Sequence, residues 1–420
     1  MYSFLLLSLI VLTVTGLIFY RSWLNPVTVF NLIWFVVCSL YGLRLSPALQ
    51  PYLADKTCQF LLLGNLVFTI SCILVSKVSF KTTNINEKNK EQIIIPFSKI
   101  QIHFWIWIVL EILETIYSKG FPIIWALKHN GKSYFDYGIP TIHGLANAYG
   151  LSILTILAYQ LFTGKFKNKT RKIKFCIAIL IAMYIFMLTR QVIISAILQV
   201  LIVYCFVKKR IPWIKLIISL LLMIVAFGIL GNIRTGYTEF LTVAMVDTKI
   251  HPLLVGFYWV YMYLTMTIAN LNKLFTLSFA PAGVGYFIQI YLPTVIGKSF
   301  FKGNYVDPSI FLVTQAFNVS GYNADAYISL GLLGLILMAL IYGVLGGNLY
   351  KKVLKQYNMK NIIYYAIYFQ IMILSFFYNQ LFYLPSGFQF IIIFLLFRNE
   401  RKKYECKNRC LSHSSFLSWK

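Results

Sequence analysis

Acidic residues are scarce in this sequence, which has twelve aspartates and glutamates against 38 lysines and arginines in 420 residues. In a soluble protein, a net charge of +26 would suggest binding to nucleic acid. Here the basic residues are gathered in short runs between long apolar stretches. Because 59% of the residues are hydrophobic and only 12% are charged, an ordinary soluble globular fold is excluded. We expect a polytopic membrane protein with membrane lipid around it and no nucleic-acid partner.

Paired cysteines, glycine-rich phosphate loops and internal repeats are also missing. Most of the seven cysteines fall within apolar stretches, and their spacing predicts neither a disulfide framework nor a zinc site. A group of glycines inside one apolar stretch is more typical of close helix packing than of a phosphate loop. The absence of a repeated half argues against a transporter built from two similar halves. These glycines are Gly343, Gly346 and Gly347.

The basic runs predict the orientation of the spans, because cytoplasmic loops of membrane proteins are enriched in lysine and arginine. Placing every run in the cytoplasm gives an external N-terminus and an internal C-terminus. We expect one all-α integral membrane domain over 1–420, with about 11–13 transmembrane helices. The predicted spans are 2–20, 27–44, 58–76, 101–118, 142–163, 173–188, 191–207, 211–230, 326–349, 361–380 and 386–397.

The stretch 253–296 is ambiguous, since it is rich in aromatic residues but broken by asparagine, proline and glycine. It could form two further spans or an external amphipathic hairpin that lies on the membrane. Three other segments are predicted to face outward, at 119–141, 232–252 and 297–325. The basic tail at 398–420 is predicted to be cytoplasmic.

Arg190 stands between two apolar runs, 175–187 and 192–207, with no loop around it. As a helix, the whole stretch would extend roughly 50 Å, which is too long for one crossing and short for two. We therefore expect a tight hairpin with Arg190 at or just below a membrane face. A buried unpaired guanidinium costs several kcal/mol, so Arg190 is a candidate functional residue. The alternative is that its side chain extends to the headgroup phosphates.

A second arginine, Arg234, follows the eighth predicted span between Gly231 and Gly236. Glycines allow the backbone to approach a ligand closely. The predicted topology places Arg190 and Arg234 on the same external face. Two arginines there could hold a pyrophosphate through bidentate hydrogen bonds, which lysine supplies less well. We predict that both are catalytic residues.

Glu111 and Glu114 are three residues apart, so they share one face of the fourth predicted span. A carboxylate at that depth needs a partner or a wet cavity. The alternatives for Glu114 are an ion pair with an outward arginine and a proton-handling role. We predict that Glu114 belongs to the substrate-binding residues.

The external stretch 134–144 combines aromatic rings with Asp136 and His143. Tyr137 and Asp136 are predicted to bind substrate, because flat rings stack on sugars and polar groups hold hydroxyls; otherwise such aromatics form the interfacial belt. His143 and His251 are both predicted to face outward, where each could accept a proton near neutral pH. The alternative for each histidine is a structural role.

A second polar cluster, at 318–327, precedes the segment 331–334. We predict that Asn323 binds substrate and that Asp325 is a third candidate for the catalytic base. The alternative for Asp325 is to cap the helix that follows it.

Several short motifs in this chain resemble those of a known family. In order, they are Asn25-Pro26-Val27-Thr28-Val29-Phe30, Trp34, Tyr41-Gly42-Leu43, Gly120-Phe121-Pro122, Tyr137-Gly138-Ile139-Pro140, His143-Gly144, Thr189-Arg190, Tyr327 and Gly331-Leu332-Leu333-Gly334. Their order and spacing resemble those of bacterial oligosaccharide repeat-unit polymerases, the Wzy-type polymerases of O-antigen and capsule synthesis. The resemblance extends over nearly the whole chain.

The resemblance implies a glycosyltransferase, similar to O-antigen ligases, at the outer face of the bacterial cytoplasmic membrane. It would move a growing glycan from undecaprenyl pyrophosphate to the next lipid-linked unit, beside a flippase and a chain-length regulator. It implies that Arg190 and Arg234 hold the pyrophosphates. Since arginines can stabilise the charge of the leaving group, and no paired carboxylates suggest a divalent-ion site on the outer face, we expect no metal or cofactor. Related ligases have a histidine at the position of Ser320, which leaves His143, His251 and Asp325 as alternative bases.

A transport protein is the alternative function, either a lipid-linked oligosaccharide flippase or a polysaccharide exporter. Glu111 and Glu114 would then couple protons or cations to movement. The lack of repeat symmetry and the concentration of polar and aromatic residues in the outer segments favour the polymerase. A membrane acyltransferase would need an essential histidine deep within a span, for which His103 is the nearest candidate.

Overall fold

The computed structural model describes residues 1–77, 94–128, 131–132, 134–245, 251, 254–292, 296, 306–398 and 400. Over these residues the regular elements are helices, and one isolated β-bridge joins Gly321 to Tyr378. The helices are α1 (Tyr2–Tyr20), α2 (Pro26–Tyr41), α3 (Asp55–Lys77), α4 (Phe97–Ser118), α5 (Pro122–Lys128), α6 (Ile142–Thr163), α7 (Thr170–Phe186), α8 (Arg190–Lys208), α9 (Trp213–Thr235), α10 (Tyr237–Val243), α11 (Val255–Thr276), α12 (Val284–Tyr291), α13 (Ala324–Lys355), α14 (Met359–Ile373) and α15 (Leu384–Arg398).

Within the described residues, seven helical stretches are long and apolar enough to cross a membrane. Three shorter apolar helices accompany them at Pro26–Tyr41, Leu216–Ala226 and Leu384–Arg398. The chain is therefore an all-α, multi-pass membrane protein, as its composition predicts. The seven stretches are Tyr2–Tyr20, Asp55–Lys77, Phe97–Lys128, Ile142–Thr163, Arg190–Lys208, Ala324–Lys355 and Met359–Phe376.

The turn between α1 and α2 is set by an asparagine cap. The Asn25 side-chain oxygen accepts a hydrogen bond from the Thr28 N–H at 2.8 Å, and Pro26 occupies the first helical position, where no amide hydrogen is needed. The Asn25 amide donates to the Ser22 carbonyl at 2.5 Å. Asn25 and Pro26 of the motif 25–30 therefore have a structural role, because they start α2.

Small residues bring α3 and α13 close together, as the glycine pattern predicts. An added Cβ at Gly347 would lie 2.5 Å from the Cys72 carbonyl oxygen, and one at Gly343 would lie 2.5 Å from that of Phe68. Glycine thus lets the two backbones approach within van der Waals contact, which stabilises helix pairs in a membrane.

The helix α13 is broken at Gly331, which has φ 61° and ψ −142°. The break leaves the carbonyls of Ile328 and Ser329 without their usual helical partners. They accept hydrogen bonds from the N–H groups of Ala282 and Gly283 at 2.9 and 2.8 Å. The segment after α11 is thereby attached to the start of α13.

The first three helices alternate in direction. Tyr2 donates a hydrogen bond to the Cys38 carbonyl at 2.6 Å, so the start of α1 lies beside the end of α2. The hydroxyls of Tyr20 and Ser76 are 2.5 Å apart, so the ends of α1 and α3 meet. We call the side of the bundle that holds the start of α1 the Met1 side. By the alternation of spans it also holds the end of α4, the start of α6, the start of α8 and the end of α9. This is the side that the basic runs predict to be external.

The ambiguous stretch forms the long helix α11 and the short helix α12, which differs from the two spans of one expected alternative. Near one end of α11, the hydroxyl of Tyr261 accepts a hydrogen bond from the Leu45 N–H at 3.0 Å, just after α2. Near the other end, Asn272 accepts from the Ala54 N–H at 3.0 Å and from the Thr57 hydroxyl at 2.8 Å, at the start of α3. Tyr261 and Asn272 therefore both lie on the Met1 side, and α11 is one continuous helix and not a pair of spans. Most of its residues are buried among other helices, and its position relative to the membrane surface stays a prediction.

The predicted outward segments contain more helix than expected. The segment 119–141 includes α5 and a 3-10 turn at Tyr134–Asp136, and 232–252 begins inside α9. The predicted facing of these segments stays a prediction. The parts outside the described residues are 129–130, 133, 246–250, 252, 297–305, and 399 and 401–420 of the tail.

Candidate functional site

Arg190 is the first residue of α8, after a three-residue connection from α7. Leu188 in this connection has φ 54°, a left-handed value that lets the chain reverse at once. The predicted tight hairpin is confirmed. Arg190 is 8% exposed, and its guanidinium carbon lies 5.2 Å from the ring centroid of Trp259, a cation–π geometry. The N-terminus of a helix favours anions, so the guanidinium and the start of α8 favour an anion at the same place.

The start of α8 is fixed by the connection between α14 and α15, which contains a short 3-10 turn at Leu374–Phe376 and is otherwise irregular. Gln191 donates a hydrogen bond to the Gln380 side chain at 3.0 Å and accepts one from the Tyr378 hydroxyl. The Ser386 hydroxyl also donates to Gln380, at 2.9 Å. Non-helical backbone within a membrane protein is tolerated where it is buried in protein and satisfied in this way. Arg190 therefore projects from a rigid position.

Trp259 of α11 connects Arg190 with the end of α9. Its ring is 5% exposed and stacks on Phe240 of α10, with the centroids 4.1 Å apart. An added Cβ at Gly231 would lie 2.7 Å from the Trp259 Nε1, so the α9 backbone rests against the indole. Arg234 follows one turn later, in the last turn of α9, and its side chain lies outside the described part of the structure. Arg190 and the backbone that bears Arg234 thus lie beside one indole ring, on the Met1 side.

Among the described side chains, Glu114 contacts a histidine, where one alternative predicted an outward arginine. Its Oε2 lies 2.7 Å from Nδ1 of His143. The Glu114 side chain is fully buried, whereas that of His143 is 25% exposed. The other ring nitrogen, Nε2, lies 3.0 Å from the Asn147 amide nitrogen. A carboxylate bonded to one ring nitrogen orients the other, which is how catalytic histidines are held.

The antiparallel packing of α4 and α6 places this pair. Glu111 and Glu114 lie on one buried face of α4, as predicted, and Glu114 is near the Met1-side end. His143 is the second residue of α6, at the same level. Gly138, with φ 92°, lies against the imidazole: an added Cβ would be 2.6 Å from its Cγ. A glycine is required here because the position is left-handed and crowded.

Tyr137 is buried beside His143. It is 5% exposed, its hydroxyl lies 3.0 Å from that of Thr115, and its ring meets the imidazole edge-on at 5.4 Å. Burial raises the pKa of Tyr137 well above its usual value. The ring thus forms a wall of the site, and its predicted stacking on a sugar stays a prediction. Asp136 is exposed in the turn just before it.

The start of α13 carries the other two predicted residues. Asn323 occupies the N-cap position and is 1% exposed, with no hydrogen-bond partner for its side-chain oxygen in the described structure. Asp325 lies in the first turn of the helix, two residues after Asn323, so it does not occupy the N-cap position itself. Its negative charge there is favoured by the helix dipole.

His251 is exposed on the chain that leads into α11, and its carbonyl accepts a hydrogen bond from the Leu254 N–H at 2.8 Å. Neither the Arg190–Trp259 pair nor the Glu114–His143 pair includes it. The structure therefore forms two distinct groups of the predicted residues on the Met1 side.

Three residues of these groups were not among those predicted from the sequence. Trp259 lay within the ambiguous aromatic stretch, where no pattern singled it out. Gln191 directly follows Arg190, and Asn147 follows His143 by one helical turn, so both lay in positions that the local pattern could have indicated. Their partners are distant in sequence and could not be predicted.

No family model, curated protein or solved structure matches this chain. The fold and the site define a multi-pass helical membrane protein with a buried arginine and a carboxylate–histidine pair on one side of its bundle.

Proposed function

We propose that this protein is a glycosyltransferase that polymerises undecaprenyl-pyrophosphate-linked oligosaccharide units on the outer face of the bacterial cytoplasmic membrane. The observation that carries the proposal is the position of Arg190. Its buried guanidinium lies at a helix N-terminus, where a diphosphate is favoured, and one helical turn from an apolar cavity. A polyprenyl diphosphate combines these two kinds of chemistry in one molecule.

The apolar cavity has a volume of about 290 Å³ and follows α8 away from Arg190. From Ile193 to Tyr204 it extends over roughly 16 Å of helix. α6, α7 and α9 supply its other walls, so it could hold the first part of an isoprenoid chain. The α8 residues that line it are Ile193, Ala196, Ile197, Val200, Leu201 and Tyr204.

In the proposed reaction, an acceptor hydroxyl oxygen attacks the anomeric carbon of the growing chain, whose bond to the pyrophosphate oxygen breaks. Negative charge grows on the leaving pyrophosphate, and Arg190 and Arg234 stabilise it. His143 takes the hydroxyl proton. Its Nδ1 contacts Glu114, and its Nε2 accepts a hydrogen bond from the Asn147 amide. The acceptor hydroxyl would take the place of this amide as the donor to Nε2. His251 and Asp325 remain the alternative bases.

The direct test incubates the purified protein with a lipid-linked repeat unit in the absence of added metal. We expect a ladder of glycan lengths and its loss in Arg190→Lys. Failure of the wild type to form any glycosidic bond, while it still binds the lipid diphosphate, would overturn the proposal. Co-purification can test the flippase and chain-length regulator proposed as partners.

A lipid-linked oligosaccharide flippase or polysaccharide exporter is the second candidate, favoured by the fully buried Glu111, which could couple a proton to movement. In sealed vesicles, such a protein would move the lipid-linked unit across the bilayer in response to a pH gradient and would leave its length unchanged. The same vesicles would show longer glycans without a gradient if the polymerase proposal holds.

A further inference from the structure

Where α4, α6 and α7 meet, five buried side-chain oxygens have no hydrogen-bond partner in the described structure. Each belongs to a residue that is at most 2% exposed. Buried polar atoms are nearly always paired, so such a group in one place calls for a bound species that supplies a donor or a positive charge. The atoms are both carboxylate oxygens of Glu111, Oε1 of Glu114, Oδ1 of Asn147 and Oη of Tyr184.

These residues form two facing rows. On α4 the row is Trp107, Glu111 and Glu114, and α6 runs antiparallel to it, with His143 opposite Glu114. The Trp107 Nε1 donates to the carbonyl of Ala146 at 3.1 Å. Glu111 lies between these two contacts along α4, so it faces the α6 stretch that carries Asn147.

Tyr184 of α7 closes the group from the third side. Its hydroxyl lies against Gly150, and an added Cβ at Gly150 would also be 2.7 Å from the Trp107 Nε1. Tyr184 is fully buried and lies within the electrostatic influence of Glu111. A buried hydroxyl that has no hydrogen-bond partner in the described structure thus lies beside the buried carboxyl group of Glu111, which also interacts with the Trp107 side chain.

The charges around Glu111 do not balance if it is ionised. The titratable groups that face it are Glu114 on α4, His143 on α6, Tyr184 on α7 and Tyr137 in the connection before α6. Only His143 is basic, and in the described structure it is bonded to Glu114. An ionised Glu111 would be a buried negative charge that has no counterion of its own, at a cost of several kcal/mol.

We infer that Glu111 is a proton-binding site, which holds a proton within the bundle at neutral pH, one helical turn from the Glu114–His143 pair. The bound proton converts one acceptor oxygen into a donor that can serve Asn147 or Tyr184. A metal ion would need several oxygens arranged around it at once. The close packing of Trp107, Gly150 and Tyr184 favours the smaller occupant.

The proton on Glu111 also has a consequence for His143, which rests on the proposed function. A second negative charge one turn from Glu114 would change the electrostatic field that acts on the imidazole. The protonated Glu111 keeps this charge away. Glu111 would therefore be a positioning residue for proton transfer, without touching the substrate.

Infrared difference spectroscopy of the purified protein tests the inference. We expect the carbonyl band of a protonated carboxyl group in the wild type above about pH 5, where an ordinary glutamate is ionised. Glu111→Gln should remove the band, and Glu114→Gln, on the same face three residues away, should leave it. A band that survives Glu111→Gln would overturn the proton site.

Two further measurements keep the test decisive if a variant does not fold. In the wild type, ¹³C-labelled glutamate must shift the band, which assigns it to glutamate and not to aspartate. Replacement of Na⁺ by choline must leave the carboxylate bands unchanged; a sodium-dependent change would indicate a cation site instead and would reject a proton. Both readouts are independent of activity, so a wild type that forms no glycan would reject the proposed function and leave the proton site standing.

Discussion

The guanidinium carbon of Arg190 lies 5.2 Å from the ring centroid of Trp259, and this contact joins parts of the chain that are far apart in sequence. Arg190 begins α8, and Trp259 lies in the first half of α11. The same ring packs on Phe240 and on the backbone at Gly231. The positions of the two predicted arginines are thus coupled through one aromatic side chain.

Replacement of either arginine by lysine should abolish long glycans. In Arg190→Lys and Arg234→Lys a point charge replaces a planar fork, so the bidentate hold on a diphosphate is lost. We expect single-unit product and normal protein levels with no long-chain ladder, measured by gel electrophoresis of the polysaccharide. Ladders like those of the wild type in both variants would reject the arginine clamp.

The aromatic ring of Trp259 should strengthen the binding of the diphosphate through its contact with Arg190. Trp259→Leu removes the cation–π contact with Arg190, which is worth about 0.5–2 kcal/mol when partly desolvated. We expect about a 2- to 30-fold rise in the Kd for polyprenyl diphosphate, measured by a filter-binding assay in detergent. Trp259→Phe keeps an aromatic face and is the matched control, with a smaller rise. Equal effects of the two substitutions would contradict the ring-based explanation.

The three candidate bases can be ranked in one assay. Loss of a general base reduces rates by about 10²- to 10⁴-fold, so His143→Ala should slow chain extension by an amount in that range. His251→Ala and Asp325→Asn should retain most of the activity, because neither residue is bonded to Glu114. Initial rates with the lipid-linked unit give the comparison. Full activity in all three variants would remove the general-base proposal.

The membrane-spanning helices could be predicted because their signal is local. A run of apolar residues of the right length identifies a span without knowledge of its neighbours. The same applies to the hairpin at Arg190 and to the shared face of Glu111 and Glu114. The helix α11 could not be placed, because its asparagines suggested breaks. In the structure, Asn270 donates to the carbonyls of Phe317 and Val319 at 2.9 and 2.7 Å. Such bonds depend on tertiary structure.

Part of the candidate site could also be predicted, in this case from the order of the spans. The alternation of spans put Glu114 and His143 at the same side, so their contact could have been inferred from the predicted topology. The contact of Arg190 with Trp259 could not, since it depends on the path of α11 across the bundle. A carboxylate in a predicted span indicates that a partner is needed, but the sequence does not identify that partner.

Gly347 should be required for the packing of α13 on α3. An added methyl group at Gly347 would lie 2.5 Å from the Cys72 carbonyl oxygen, so Gly347→Ala must push the helices apart. Overpacking of this kind costs about 1–3 kcal/mol. We expect a lower Tm in detergent, followed by intrinsic fluorescence. Gly285→Ala is the control, because no atom lies within 4 Å of an added Cβ there; a similar loss in both variants would contradict the packing argument.

Filling the apolar cavity should weaken the binding of long isoprenoid chains without touching Arg190. Ala196 is 3% exposed and lines the cavity, so Ala196→Trp places a large ring where we propose that the chain lies. Loss of contacts equivalent to roughly two buried methylenes would raise the Kd for undecaprenyl diphosphate about tenfold.

A diphosphate with only a short isoprenoid tail should bind both proteins similarly, since it depends on the arginines and not on the cavity. Val109→Trp is the matched control, because Val109 is 54% exposed on α4 and does not line the cavity. If Ala196→Trp weakened the short-tailed and the long-tailed ligands equally, the substitution would have displaced α8 and Arg190. The cavity would then have no separate role in holding the lipid.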